Sequence, residues 1–185
     1  PLIPLDLLAR PMFSLSIATS IISFAAQMMA FVALPFFLQG PLHLTAVETG
    51  LLMTPWPLAT MIAAPLAGYL SDRYSAGVLG AIGLSLFACG LMALSFLSAD
   101  SSHFDIIWRM AICGAGFGFF QSPNNRAMLS EAPKERAGAA GGALGMARVV
   151  GQSLGAVVVA FLLSAQPIGG VAHGFQIAAI TALFG

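Results

Sequence analysis

The charged residue with the strongest chemical implication is Arg148, which lies in a run from 137 to 165 that holds no other formal charge. It lies ten residues past Gly138, or roughly 15 Å along a helix, which is near the middle of an apolar span. A cation at that depth should face a protein interior or a cavity. It can pair with a carboxylate or polar group and take part in proton coupling; the alternatives are a structural bond between helices and a side chain that reaches the membrane surface.

Two acid–base pairs mark the ends of apolar runs. Asp72 and Arg73 are adjacent, between two long stretches without formal charge, and they predict a tight turn in which charge reaches water. Asp105 and Arg109 are four residues apart, so an ion pair across one helical turn is expected there. Two interpretations of Arg109 stay open, an anchor at the membrane surface and a role in gating.

A candidate ligand pocket surrounds Gln27, which lies in the middle of an apolar run. Its amide can hydrogen-bond a ligand, and the neighbouring Phe24, Met28 and Phe31 provide the aromatic and thioether surface of an adaptable pocket. The alternative is a hydrogen bond between helices, with the Phe and Met side chains facing lipid.

Other chemistry finds no support in the residue pattern. The acids fall at the ends of apolar runs or in loops: Asp6, Glu48, Asp72, Asp100, Asp105, Glu131 and Glu135. The three histidines, His43, His103 and His173, fall in loops. We therefore expect no catalytic residues, no enzyme activity, no metal site and no cofactor. The net charge of zero also argues against a nucleic-acid partner.

Composition defines the elements that position these residues. The chain is 58% hydrophobic and 8% charged, with a mean hydropathy of +0.92, so most of it should lie in lipid. A span needs about 20 mostly apolar residues. The sequence predicts an all-α membrane protein with six spans, at about 13–38, 48–70, 77–98, 106–128, 138–164 and 175–185. Pro55, Pro57 and Pro65 predict breaks in the second span.

Basic residues predict the orientation of the bundle. They occur before the first span and in alternate loops: Arg10, Arg73, Arg126, Lys134 and Arg136. The loops near 39–47, 99–105 and 165–174 contain no Lys or Arg. Because basic loops favour the cytoplasm, the N-terminus and the 71–76 and 129–137 loops should be cytoplasmic, in a multi-pass protein of the inner or plasma membrane.

Glycines predict where helices approach closely. Pairs four residues apart occur along the fifth span: Gly138 and Gly142, Gly141 and Gly145, and Gly151 and Gly155. Small residues at this interval let helix backbones come together. The fifth span should therefore pack tightly against another helix.

The stretch from Gly68 to Asp72 and Arg73 resembles the G-x-x-x-D-R/K signature of the major facilitator superfamily, which lies in the turn between the second and third helices of a six-helix half. Arg109 followed by CGAGFG at 113–118 resembles the fourth-helix motif of that family. The stretches APKERAGAAGG at 132–142 and GMARVVGQSLG at 145–155 resemble the drug–proton antiporters of the fourteen-span type.

The resemblance implies the C-terminal six-helix half of such a transporter. Two inverted three-helix repeats, 13–98 and 106–185, would form it and work by alternating access against an N-terminal half. Lipid, a small-molecule substrate and protons would be its partners, and Gly68, Asp72, Arg73, Arg109 and Arg148 its gating or coupling residues. The chain begins at Pro1 and stops at Gly185 inside its last span, so we expect a fragment with a truncated last helix.

Three functions remain open at this point. The first is proton-coupled efflux of amphipathic or cationic drugs. The second is facilitator-type transport of a metabolite. The third is a non-transporting membrane subunit or sensor. With no carboxylate in the middle of a span, the titrating group of an antiporter would have to lie outside this sequence.

Overall fold

The computed structural model describes residues 7, 9–165 and 169–183. Asp6 and the last two residues of the predicted sixth span lie outside the described residues. Helices dominate the described part: α1 (Pro11–Gln39), α2 (Ala46–Met53), α3 (Pro55–Leu70), α4 (Ala76–Ser95), α5 (His103–Ser130), α6 (Ala137–Ala165) and α7 (Gly169–Leu183). A short 3-10 helix, Lys134–Arg136, precedes α6. The predicted all-α helical bundle is confirmed.

Polar residues in the connecting turns define several helix starts. Ser75 and Ser102 each accept a hydrogen bond from the third backbone N–H of the helix that follows. Thr45 and Glu48 form a reciprocal capping box at the start of α2, which satisfies two backbone donors that a helix start leaves unpaired. The turns that separate apolar runs in the sequence therefore also carry the caps.

Four helical stretches in the described residues are long and apolar enough to cross a membrane: Pro11–Gln39, Ala46–Leu70, Ala76–Ser95 and Lys134–Ala165. They overlap the predicted first, second, third and fifth spans. The predicted fourth span falls on α5, which is 28 residues long but contains the polar run from Gln121 to Arg126. The predicted sixth span falls on α7, which begins at Gly169 rather than near residue 175.

The second span is interrupted at one place. Thr54 keeps a helical backbone conformation, but Pro55 and Pro57 have no N–H to continue the hydrogen-bond ladder, so α2 ends at Met53 and α3 starts at Pro55. The expected break at Pro65 was wrong, because α3 continues through it to Leu70. Neighbouring helices hold such a proline in place within a membrane span.

Helix packing follows a repeated scheme. The most extensive contacts are α4 with α5, α3 with α5, and α1 with α6, followed by α4 and α1 with α7. The first, second and third spans can each be exchanged for the fourth, fifth and sixth. Under this exchange the contact of α3 (second span) with α5 (fourth span) becomes the contact of α6 (fifth span) with α1 (first span). The same exchange converts α4–α5 into α7–α1. Two three-helix repeats would give this symmetry.

Glycines form the closest helix contacts. A Cβ atom built on Gly83 would lie 2.4 Å from the Phe120 backbone nitrogen, and one on Gly114 would lie 2.1 Å from the Trp56 carbonyl oxygen. On α6, the equivalent atom on Gly155 would lie 2.2 Å from the Ala25 carbonyl oxygen. These helices touch through their backbones, which only glycine permits.

The glycine pairs of α6 differ in their surroundings. Gly151 and Gly155 lie against α1, as close contacts with Ile21, Phe24 and Ala25 show. Nothing in the described residues lies within 4 Å of a Cβ atom built on the other four, Gly138, Gly141, Gly142 and Gly145. Close packing of this N-terminal part of α6 stays a prediction.

An aromatic chain occupies the core. The rings of Phe31, Trp56, Phe87, Phe117 and Phe24 follow one another edge to face, with successive centroid distances of 4.9, 5.6, 5.5 and 5.4 Å. They come from α1, α3, α4 and α5. Edge-to-face pairs are each worth about 0.5–1.5 kcal/mol beyond their burial, so this chain ties four helices into one unit.

Candidate functional site

Most of the basic residues lie at one end of the bundle, where the α3–α4 turn meets the end of α5. We call it the basic end: Arg10, Arg73, Arg126, Lys134 and Arg136. Asp72 in the turn pairs with Arg126 of α5, with Oδ1 and Nη1 2.7 Å apart. Both side chains are 58% exposed, and an exposed pair contributes about 0–1 kcal/mol to stability. The pair can therefore open at little cost.

Hydrogen bonds join other helices at the basic end. The Asn124 amide of α5 donates to the Ser20 hydroxyl at 2.8 Å and to the Ser16 carbonyl at 3.4 Å, both on α1. Arg10 donates to the carbonyl of Glu131, just after α5. The start of α1 is thus fastened to the end of α5.

The rest of the signature stretch lies beside this pair. Arg73 lies over the ring of Tyr69, with 5.8 Å between the guanidinium carbon and the ring centre. A Cβ atom on Gly68 would come within 3.2 Å of the Ser122 hydroxyl oxygen. Asp72 therefore reaches across to α5, whereas Arg73 stays on its own helix end.

Arg109 connects helices at the opposite end of the bundle. Its Nη2 atom lies 3.6 Å from the Asp105 carboxylate, and Nη1 donates to the carbonyl of Ala93 in the last turn of α4 at 2.7 Å. The Trp108 indole N–H donates to Asp105 at 3.2 Å, and this bond lowers the pKa of that carboxyl. The expected pair across one helical turn is present, and its geometry suits an anchor between α4 and α5.

Arg148 lies on the exposed side of α6, about 16 Å along the helix from Ala137. Its guanidinium carbon lies 5.3 Å from the centre of the Phe24 ring on α1. No hydrogen bond joins it to a described residue, and described acids do not reach this depth. The cation at mid-span is therefore held by an aromatic face and leaves its N–H groups available.

The four candidate pocket residues share one face of α1, since their spacing is that of helical neighbours. Phe24 is buried in the aromatic chain, whereas Gln27, Met28 and Phe31 are half-buried. Phe31 packs on Trp56. The face therefore combines a buried ring, on which Arg148 lies, with a partly accessible amide and thioether.

A separate groove of about 370 Å³ opens between α1, α4 and α5, and it includes none of the candidate pocket residues. Ser16 and Asn124 lie in its wall and are already hydrogen-bonded partners. Among residues 7, 9–165 and 169–183, no group of three or more His, Cys, Asp or Glu side chains could hold a metal ion.

Two residues that make important contacts in the structure, Arg126 and Trp56, were not identified from the sequence. Arg126 was used only to predict the orientation of the bundle and was not identified as the partner of Asp72. Trp56 was passed over because an isolated tryptophan in an apolar run gives no sign of its neighbours. Its ring lies between those of Phe31 and Phe87 in the aromatic chain.

The family model described as Major Facilitator Superfamily matches residues 1–156. The chain is 56% identical over 183 residues to the uncharacterized transporter YebQ of Escherichia coli (strain K12), covering 99% of this chain and 40% of that protein. It is 31% identical over 153 residues to the riboflavin transporter RibZ of Clostridioides difficile (strain 630), covering 83% of this chain and 34% of RibZ.

The chain is also 31% identical over 165 residues to the multidrug resistance protein Stp of Mycobacterium tuberculosis (strain H37Rv), covering 89% of this chain and 30% of Stp. It thus spans well under half the length of these relatives. The family match covers most of the chain, and the helices agree with a multi-pass membrane protein. The chain therefore belongs to the Major Facilitator Superfamily, a family of transporters rather than enzymes.

Proposed function

We propose that this chain is the C-terminal six-helix half of a secondary active transporter that exports amphipathic or cationic drugs in exchange for protons. The observation that carries the proposal is the 31% identity to the multidrug resistance protein Stp, which extends over 89% of this chain. An N-terminal helical half of the same protein would complete the transport path.

The uneven burial of the helices supports alternating access. In Ala46–Leu70 and in Lys134–Ala165, only 22% of an apolar 18-residue stretch is buried, whereas 50% of such a stretch is buried in Pro11–Gln39. The exposed side of α6 includes Arg148, and exposing that cation to lipid would cost about 2.5–3.5 kcal/mol on insertion scales. This side suits a water-lined path or the other half of the transporter, which would rock against it.

Orientation follows from the basic end. Because basic loops favour the cytoplasm, we place the N-terminus of the chain and the Asp72–Arg126 pair on the cytoplasmic side. An exposed pair between the α3–α4 turn and α5 can close in one state of the transport cycle and open in the other. Gly68 and Arg73, which lie beside this pair, would affect the same opening and closing.

Proton coupling needs a titrating group that this chain does not show at mid-span. The described acids lie at helix ends and in loops: Glu48, Asp72, Asp100, Asp105, Glu131 and Glu135. We therefore propose that the coupling carboxylate lies in the other half. Arg148 would respond to its charge, and Arg109 would hold α4 and α5 together while the halves move.

A metabolite transporter is the second candidate. The 31% identity to the riboflavin transporter RibZ covers 83% of this chain, a similarity equal to that with Stp. A flat ring system such as that of riboflavin would also suit the aromatic and amide face of α1. The two candidates differ in substrate rather than in fold.

Dye export tests the leading proposal. The full-length protein is expressed in cells that lack their own efflux pumps, and retention of a fluorescent cationic dye is followed with and without a protonophore. Exclusion of the dye that disappears with the protonophore is the expected result. Retention equal to that of cells with an empty vector, with the protein present in the membrane, would favour the metabolite candidate.

Replacing Asp72 by asparagine should slow export several-fold and leave membrane insertion intact. The change removes the charge that pairs with Arg126 but keeps the size of the side chain, and an exposed pair contributes only about 0–1 kcal/mol to stability. Initial rates of dye export per transporter, with membrane content measured on blots, give the result.

Two variants show whether the pair itself matters. Arg126→Gln should reproduce the defect, and the exchange Asp72→Arg with Arg126→Asp should recover part of the rate. Asp100→Asn, in an exposed loop at the other end, is the matched control. Normal export by Asp72→Asn would leave that residue only a topological role.

A further inference from the structure

We propose that Arg148 of α6, which lies on the Phe24 ring of α1, binds the acidic group of a flat aromatic substrate. Gln27, one turn after Phe24 on α1, would contact the same substrate. The proposal rests on the transport function proposed above, and it names the substrate class that this half of the protein contacts. The occupant is therefore an organic anion or an amphipath with an acidic group. The juxtaposition that carries it is a mid-span cation on an aromatic face with no acid beside it.

Arg148 has an aromatic neighbour but no hydrogen-bond acceptor among the described residues. Its guanidinium carbon lies 5.3 Å from the Phe24 ring centre, so one face of the group is covered by an aromatic ring. No described residue accepts a hydrogen bond from its N–H groups. A guanidinium presents these donors as a planar fork that fits a carboxylate with two parallel hydrogen bonds.

The formal charge at the depth of Arg148 is positive. Arg148 is the one formal charge between 137 and 165, and the described acids lie at helix ends and in loops. Coulomb repulsion in a low-dielectric site is strong. A cationic compound would therefore be repelled from this face, and its positive charge would have to be recognised by the other half.

The neighbouring residues of α1 give the shape of the ligand. Gln27 is one turn after Phe24, and Phe31 is one turn after Gln27, on the same face. Both Gln27 and Phe31 are half-buried, so part of each side chain is accessible in this half of the protein. A flat ring system with its acid at Arg148 would meet Gln27 with a second polar group.

Direct binding of two dyes tests the proposal. Fluorescein and rhodamine 123 share a xanthene ring system, but fluorescein is an anion at neutral pH, whereas rhodamine 123 is an esterified cation. Fluorescence polarisation is measured on the full-length protein purified in detergent. We expect fluorescein to bind the unaltered protein at least tenfold more tightly than it binds the Arg148→Gln variant. Rhodamine 123 should bind the variant as tightly as the unaltered protein, or more tightly.

Further variants separate charge from fold. Arg148→Lys keeps the charge without the planar fork and should give intermediate fluorescein binding, and it replaces the Gln variant should that one not fold. Lys134→Gln, which removes an exposed cation at the basic end, should leave both dyes unaffected. Equal losses for both dyes in Arg148→Gln, or no fluorescein binding to the unaltered protein, would overturn the proposal.

Failure of the site and failure of the function are distinguishable. Binding is measured in detergent, without a proton gradient, so it does not depend on export. Fluorescein binding that needs Arg148, in a protein that does not export cationic dye, would support this site and count against cationic drug efflux. Export of cationic dye without Arg148-dependent fluorescein binding would do the reverse.

Discussion

Replacing Gly83 by alanine is expected to force α4 away from α5 and to reduce the yield of folded transporter sharply. The new Cβ atom would lie 2.4 Å from the Phe120 nitrogen, 2.8 Å from its Cα and 2.9 Å from the Phe119 carbonyl carbon. All three are backbone atoms, so no side-chain rotation relieves the contact. Overpacking of this kind typically costs about 1–3 kcal/mol.

Membrane helices make this loss hard to recover, because lipid offers no hydrophobic drive to hold separated helices together and van der Waals packing is the main attraction. The measurements are the fraction of monodisperse full-length protein in detergent and its apparent Tm. Both should fall for Gly83→Ala.

The matched control is Gly80→Ala, one turn earlier on the same helix. The nearest atom to a Cβ there is a ring carbon of Phe120 at 3.9 Å, which is ordinary contact. Alanine also gains about 0.5–1 kcal/mol over glycine within a helix, so this variant should be as stable as the unaltered protein or more so. Equal behaviour of the two variants would contradict the close α4–α5 contact.

Helices are more predictable than their contacts in this chain. Uninterrupted apolar runs indicate spans because a bilayer demands about 20 such residues, and the family signature around Asp72 indicates the superfamily, which the family match confirms. Proline positions are less informative. Pro55 and Pro57 interrupt the second span, but Pro65 does not, because its effect depends on the helices around it.

The sequence does not reveal which residues contact each other across helices. Asp72 has Arg73 as its neighbour in sequence, yet it pairs with Arg126, since a turn points consecutive side chains in different directions. The glycine pairs of α6 illustrate the same limit. Gly151 and Gly155 meet α1, whereas a Cβ atom built on Gly138 or Gly142 would have no described atom within 4 Å, although the spacing is identical.

Arg148 shows how both kinds of information combine. Its depth follows from counting residues along one helix, and the cost of a mid-span cation predicts a polar or covered environment. That its cover is the Phe24 ring follows only from the register between α1 and α6, which the backbone contacts of Gly151 and Gly155 set.

Replacing Trp56 by alanine is the second change with a large expected effect. The side chain is 1% exposed and lies between the rings of Phe31 and Phe87, so its loss leaves a cavity where α1, α3 and α4 meet. Truncating a buried tryptophan costs about 3–5 kcal/mol. The apparent Tm of the full-length protein should fall well below that of Gly83→Ala.

Trp56→Phe distinguishes the packing of the aromatic ring from the effect of the indole N–H. Trp56 Nε1 is buried without a hydrogen-bond partner among the described residues, and such a donor costs about 1–3 kcal/mol. Phenylalanine loses volume but also removes that donor, so the two effects offset and the Tm should stay near that of the unaltered protein. Phe104→Ala, at a ring that is 73% exposed, controls for the loss of any aromatic side chain. A Trp56→Phe variant as unstable as Trp56→Ala would contradict this offset and would mean that the packing of the full indole ring, rather than its N–H, decides the stability.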